Sequence, residues 1–202
     1  MAIISNGTTI ADAGAFNASL GSKVLIKTTT VSSATANVTF VHGTSGVVLD
    51  STYPIYQFVF LNCLPSSDGV KLKYNFSIDT GSNYNVTKTS DNFYAGHTEA
   101  DATGFGFDSG LAQSTSDAFA TVGAIGSAAD EGCSGFLHLF DPSSTTFVKH
   151  YISNGNAMVH TAYLMSGFCG GYANTTSAIN AIDFKFQSGN VDSGTIDMYG
   201  VL

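Results

Sequence analysis

At 202 residues the chain fits one domain, since β-sandwiches and barrels of roughly 200 residues commonly share a single core. A hydrophobic fraction of 44% against a charged fraction of 11% is the reverse of the composition that keeps chains disordered. The net charge of −8 sets 15 acids against seven bases, every one a lysine; with no arginine and no lysine cluster, the chain is a poor ligand for nucleic acid.

Taken in chain order, residues 1–20 are expected to form an N-terminal arm or a short helical turn, with the turn over 11–20. Residues 21–202 are expected to form a single β-sandwich domain. The opening MAIISNGTTIADAG lacks the basic region and long apolar stretch of a signal peptide, so the expectation is a chain made in the cytoplasm and not exported by a recognisable route. No run approaches the roughly 20 apolar residues that cross a bilayer, so no membrane insertion is expected.

Strands follow at 23–31 and 35–42. The segment 56–64 is apolar on both faces and suits a central strand. Over 70–78 the side chains alternate: Val70, Leu72, Tyr74, Phe76 and Ile78 share one face, and Lys71, Lys73, Asn75 and Ser77 take the other. A turn at Ser66-Ser67-Asp68-Gly69 would join these two strands into a hairpin. From about 90 to 132 periodicity weakens, which reads as long loops with one or two short strands; 117–125 is a candidate short helix, weakened by Gly123 and Gly126. Strands resume at 136–140, 145–153, 158–168, 179–187 and 195–201. Turns are expected at Asp141-Pro142-Ser143-Ser144, Ser153-Asn154-Gly155-Asn156 and Ser188-Gly189-Asn190. Short strands with Gly, Asn and Ser turns, and no alternating helices, point to an all-β antiparallel sandwich, jelly-roll-like.

Chemistry-bearing patterns are scarce. The three cysteines, Cys63, Cys133 and Cys169, are odd in number and widely spaced, which argues against a disulfide scaffold and for thiols acting as small core residues. No Cys/His spacing suits zinc, and no Gly-x-Ser-x-Gly nucleophile turn occurs. His42, His138, His150 and His160 read as sheet-face or hydrogen-bonded structural residues. The acidic, glycine-bearing stretch 96–108 is the best candidate site, with His97, Glu99, Asp101 and Asp108; its spacing is not that of an EF-hand, and a solvated loop is the simpler reading. Phe93 and Tyr94 beside it could form a partner- or sugar-binding tip, so Phe93, Tyr94, His97, Glu99 and Asp101 constitute the candidate binding loop. No catalytic residue, metal ligand or cofactor is expected, and the chain is not expected to be an enzyme.

The segment Ile182-Asp-Phe-Lys-Phe-Gln-Ser-Gly-Asn-Val-Asp-Ser-Gly-Thr-Ile-Asp-Met-Tyr-Gly-Val-Leu202 resembles the closing hairpin of a family of virion structural proteins common in marine bacteriophages. Ala18-Ser-Leu-Gly-Ser, Val48-Leu-Asp-Ser-Thr-Tyr and Leu137-His-Leu-Phe-Asp-Pro-Ser-Ser-Thr-Thr-Phe-Val-Lys-His150 are similar too, as is Gly171-Tyr-Ala-Asn-Thr-Thr-Ser-Ala-Ile179. The resemblance implies a β-sandwich module on the particle exterior, a head-decoration or tail- or fibre-associated subunit. It also implies self-association, often as trimers, and docking to other capsid or tail proteins. The alternative is an adhesin for host surface glycans. The structural role predicts a flat apolar contact patch and no buried cluster of perturbed acids or histidines.

Overall fold

The computed structural model describes residues 2–5, 8–12, 15–16, 22–110, 112, 114–115, 119–120 and 123–202. The first strands are β1 (Ile3–Ser5), β2 (Thr8–Asp12), β3 (Ala15–Phe16), β4 (Lys23–Val31), β5 (Val38–Val41), β6 (Ile55–Pro65) and β7 (Leu72–Ser77). After them come β8 (Lys88–Thr98), β9 (Thr103–Phe107), β10 (Ser114–Thr115), β11 (Phe119–Ala120) and β12 (Gly132–Phe140). The last are β13 (Lys149–Val159), β14 (Tyr163–Ala173), β15 (Ala181–Phe186) and β16 (Val191–Val201). The described residues contain no helix, and the protein is all-β.

The strands form three antiparallel sheets. The largest has nine strands in the order β10-β8-β14-β13-β12-β6-β16-β4, with β9 pairing the distal half of β8. A four-stranded sheet runs β11-β7-β15-β5, and β1, β2 and β3 form a small sheet of their own. The nine- and four-stranded sheets face each other as a β-sandwich. Their inner faces meet through aromatic side chains: Phe58 of the large sheet lies 5.4 Å from Phe40 and 5.5 Å from Phe184, ring centre to ring centre, and Tyr151 lies 5.5 Å from Phe76. These rings are buried together with Leu72, Leu137, Leu139, Ile182, Ile196 and Met198. They occupy alternate positions on their strands because a pleated strand turns successive side chains to opposite faces.

The alternation read from the sequence places most of these strands, but not their partners. Strands β6 and β7 do not form a hairpin. β6 pairs with β12 and β16 in the large sheet, while β7 pairs with β15 and β11 in the small one. Ser66–Gly69 therefore carries the chain across the sandwich. The closing segment does the same, since β15 belongs to the small sheet and β16 to the large one. The two crossings lie side by side: Ser66 N donates to Asn190 O at 3.0 Å and Asn190 N to Ser66 Oγ at 2.8 Å. With strongly apolar faces on both members of each pair, crossing lets those faces meet in the core; a hairpin would lay them side by side in one layer.

Other expectations are corrected too. Ser153-Asn154-Gly155-Asn156 is the middle of β13, and the hairpin turn comes at 160–162, before β14. Gly155 faces Gly135 across the ladder, and a Cβ on Gly135 would sit 2.6 Å from Gly155 Cα and 2.6 Å from the Phe60 ring. Glycine is required at 135 by close approach of the Asn154–Gly155 backbone and the Phe60 ring, while a Cβ on Gly155 would meet Ser134 O at 3.3 Å; neither glycine serves a turn. The stretch from 90 to 132 is more regular than expected. It contains most of β8, an 11-residue strand, and all of β9. Within the helix candidate, Phe119–Ala120 is strand β11 and Ile125 bridges Val70 and Val159; the rest of that expectation, save 123–124, falls outside the described residues. In the N-terminal arm the described residues are strands rather than a helical turn, while 17–20 lie outside the described residues.

Candidate docking face

The outer face of the nine-stranded sheet carries the most unusual surface on the molecule. In β8 the odd positions point outward, so Phe93 opposes Phe168 of β14 on one side and Phe107 of β9 on the other. Phe168 in turn opposes Asn154, Asn154 opposes Phe136, and Phe136 opposes Val59. One cross-strand row thus runs phenylalanine, phenylalanine, phenylalanine, asparagine, phenylalanine, valine across neighbouring strands. Its rings interact: Phe93 and Phe168 stack with planes 5° apart and centres 5.2 Å apart, and Phe105 of β9 leans on Phe93 at 6.3 Å. Stacked, offset aromatic pairs of this kind stabilise a sheet face by about 0.5–1.5 kcal/mol beyond the area they cover.

These rings remain in contact with water. Phe105 is 77% exposed and Phe107 65%, and Phe93, Phe168, Leu164 and Ile152 are each more than two-fifths exposed. Scattered exposed apolar residues are ordinary, whereas contiguous ones mark contact surfaces. Strand β9 supplies this edge through Thr103-Gly-Phe-Gly-Phe107, in which the phenylalanines share the outer face and Gly104 and Gly106 the inner one. The glycines leave room for neighbouring tyrosines, with the Tyr94 ring lying 3.4 Å from where a Gly106 Cβ would stand.

Polar groups border the aromatic row. A second row passes through Asp91, Gly170, Ile152, His138, Gln57 and Tyr199. Asp91 Oδ1 accepts from Gly170 N at 3.0 Å. His138 Nε2 is 2.6 Å from Gln57 Nε2 and packs between Phe136 and Phe140. Its burial, with the positive charge of Lys23 as a lesser cause, holds this imidazole below its usual range. It is therefore a neutral member of the sheet face at pH 7. Lys23 caps the far edge, its Nζ 3.8 Å above the Tyr199 ring, a cation–π contact.

The candidate binding loop is split by this architecture. Phe93 and His97 lie on the outer face, Tyr94 on the inner one, and Glu99 and Asp101 in the exposed turn that joins β8 to β9. His97 Nε2 approaches Asp101 Oδ1 at 3.7 Å across that turn, where Asp101 takes a positive φ of 63°. Asp108 accepts Gly110 N at 2.8 Å beyond β9. Among the described residues, no three His, Cys, Asp or Glu side chains gather as a metal site. Phe105 and Phe107 were missed because the Gly-Phe-Gly-Phe run reads as loop composition, though its period of two was the available signal; Phe168 was missed because its pairing with Phe93 joins distant strands.

Of the remaining histidines, His42 Nδ1 accepts from Leu49 N at 3.1 Å, His160 Nδ1 lies 3.2 Å from Ala124 O, and the His150 ring packs against Tyr172, centres 6.1 Å apart. The cysteines are free and buried, and burial pushes the Cys63 thiol up to about 12. The interior is nevertheless less inert than expected. Lys88, Lys149 and Asp183 are buried, and burial pushes the Asp183 carboxyl up despite Lys185 at 3.7 Å.

The chain matches no family model, no curated protein and no solved structure.

Proposed function

We propose that the chain is a bacteriophage virion structural protein, an exterior β-sandwich module that docks on the capsid or tail as a decoration or fibre-associated subunit. The observation that carries this reading is the exposed aromatic row Phe107, Phe93 and Phe168, with Phe105 beside it and the half-buried Phe136 continuing it, on the outer face of the large sheet. Covering it with another subunit removes apolar area from water at about 25 cal/mol per Å². The resemblance of residues 182–202 to marine phage structural proteins points to the kind of particle. The acidic balance, 15 acids to seven bases, suits an outer surface that faces other finished particles. The partners are further copies of the chain, as a homotrimer, and neighbouring capsid or tail proteins. No catalysis is required of such a subunit.

Gold-labelled antibody against the chain tests the role directly. Label on the outside of purified phage particles is the expected result, and label confined to the soluble fraction of the lysate overturns the proposal. A second reading, binding of host surface glycans, draws on the flat Phe93–Phe168 stack beside the His97–Asp101 pair. Glycan-array binding lost in a Phe93→Ala variant would favour it over subunit docking.

A further inference from the structure

Lys88 and Asn75 meet in the interior of the sandwich, and Asp183 stands opposite Asn75 in the ladder. Lys88 opens β8 with its side chain turned inward and 0% exposed, and Asn75 of β7 is 2% exposed. The Lys88 Nζ donates to Asn75 Oδ1 and to Val86 O, the latter at 2.7 Å. The Phe76 ring lies 5.9 Å from the same nitrogen. Asn75 was expected on a solvated face, but 78–87 folds over it, and its Nδ2 donates to Tyr84 O at 2.5 Å.

The carboxamide is held as an acyl acceptor. Phe76 N donates to Asn75 Oδ1 at 2.8 Å, so a backbone N–H already points where negative charge would develop. Asp183 of β15 stands directly opposite Asn75 in the ladder, and directly opposed residues project from the same face. Asp183 is buried, its Oδ1 has no hydrogen-bond partner, and the Tyr84 phenol feels its charge. The segment 78–87 thus covers the carboxamide.

We propose that Lys88 and Asn75 are joined by a self-formed isopeptide bond, with Asp183 as the proton carrier. The lysine gives a proton to the Asp183 carboxylate and becomes a neutral amine, the form that removal from water favours. Nζ adds to Asn75 Cγ, and charge gathers on Oδ1 against the Phe76 N–H. The Cγ–Nδ2 bond then breaks. Nδ2 departs as ammonia, carrying one proton from the attacking amine, while the Lys88 proton lent to Asp183 is released to solvent with the leaving group. Amine and amide become amide and ammonia, with no oxidant or cofactor consumed. The product ties β7 of the four-stranded sheet to β8 of the nine-stranded sheet. Lys149 supplies an internal contrast. It is equally buried, but its Nζ meets backbone carbonyls, Phe147 O at 3.0 Å and Thr175 O at 3.3 Å.

Mass spectrometry of the folded, purified chain after denaturation tests the bond, independently of where the protein docks. The expected mass is one ammonia below that of the sequence, with fragment ions linking positions 75 and 88. Lys88→Arg should restore the full mass, Asn75→Asp should change the deficit to one water, and Asp183→Asn should leave most of the chains uncoupled while retaining a β-type circular dichroism spectrum. Parent protein at full sequence mass overturns the proposal without recourse to any variant. A deficit that survives in Lys88→Arg also overturns it, because the ammonia would then come from succinimide formation elsewhere. An Asp183→Asn protein with the complete deficit overturns the role of Asp183.

Discussion

The aromatic row makes its strongest quantitative prediction at Phe105. A phenylalanine side chain buries roughly 150–250 Å² when fully covered, and this one is 77% exposed in the isolated protomer. Covering what remains withdraws on the order of 150 Å², about 4 kcal/mol at 25 cal/mol per Å². Part of that gain is offset by the side-chain ordering and the rigid-body freedom lost on association. Phe105→Ser is therefore expected to weaken self-association by about 1–3 kcal/mol, a rise in dissociation constant of roughly 5- to 150-fold. Because the ring is largely exposed and leans on Phe93, 6.3 Å away, the protomer's own stability should change by no more than about 0.5 kcal/mol. Sedimentation equilibrium measures the first quantity and urea unfolding under dissociating conditions the second. An unchanged dissociation constant in a normally folded variant would refute the reasoning, as would a parent chain that stays monomeric at every concentration.

Four further outcomes follow from the interior and its loops. Phe184→Ala removes a ring that touches Phe40, Phe58 and Tyr74, and urea unfolding should show a loss of about 3–5 kcal/mol. Gly135→Ala forces a Cβ against Gly155 and the Phe60 ring; thermal unfolding should report a cost of about 1–3 kcal/mol, from overpacking. The Asp79 carboxyl, held by hydrogen bonds from Ser77 and Asn83, is lowered from 3.8 to about 2. Since the folded form is the stronger acid, its contribution is present above pH 3.8 and fades as pH falls toward 2; carbon-detected NMR titration of Asp79 should find its midpoint there. Burial raises all three cysteine thiols, so a thiol reagent at pH 8 should label the native protein negligibly and all three sites after unfolding.

Where local alternation decides structure, the sequence was readable. Lys23–Val31 forms β4 over the expected residues, and Phe136, His138 and Phe140 share one face of β12 as their spacing requires. Pairing was not readable, because period two says which face is apolar and nothing about which strand lies alongside. That is why the links through Ser66–Gly69 and Ser188–Asn190 looked like hairpins. Asn154-Gly155 misled for a related reason: glycine signals either a turn or a neighbour pressed close, and only the position of Phe60 separates the two. At the candidate site, Phe93 and His97 were found from composition, whereas the Phe168 partner lay 75 residues away in sequence. The buried Lys88 and Asp183 were invisible, since lysine and aspartate in an alternating pattern signal solvent until a covering segment is known.

Strand order gives the fold a particular history. Among the described residues β16 is the last strand in the chain, yet it lies between β6 and β4 and is the one partner of β4 in the large sheet. Until β16 is in place, β4 is unattached and one edge of β6 is bare. Contacts spanning so much sequence are slow to form. Closure of the large sheet is set by the arrival of this strand, and until then the open edge of β6 is the place where a chaperone, or a neighbouring unfinished copy, would engage.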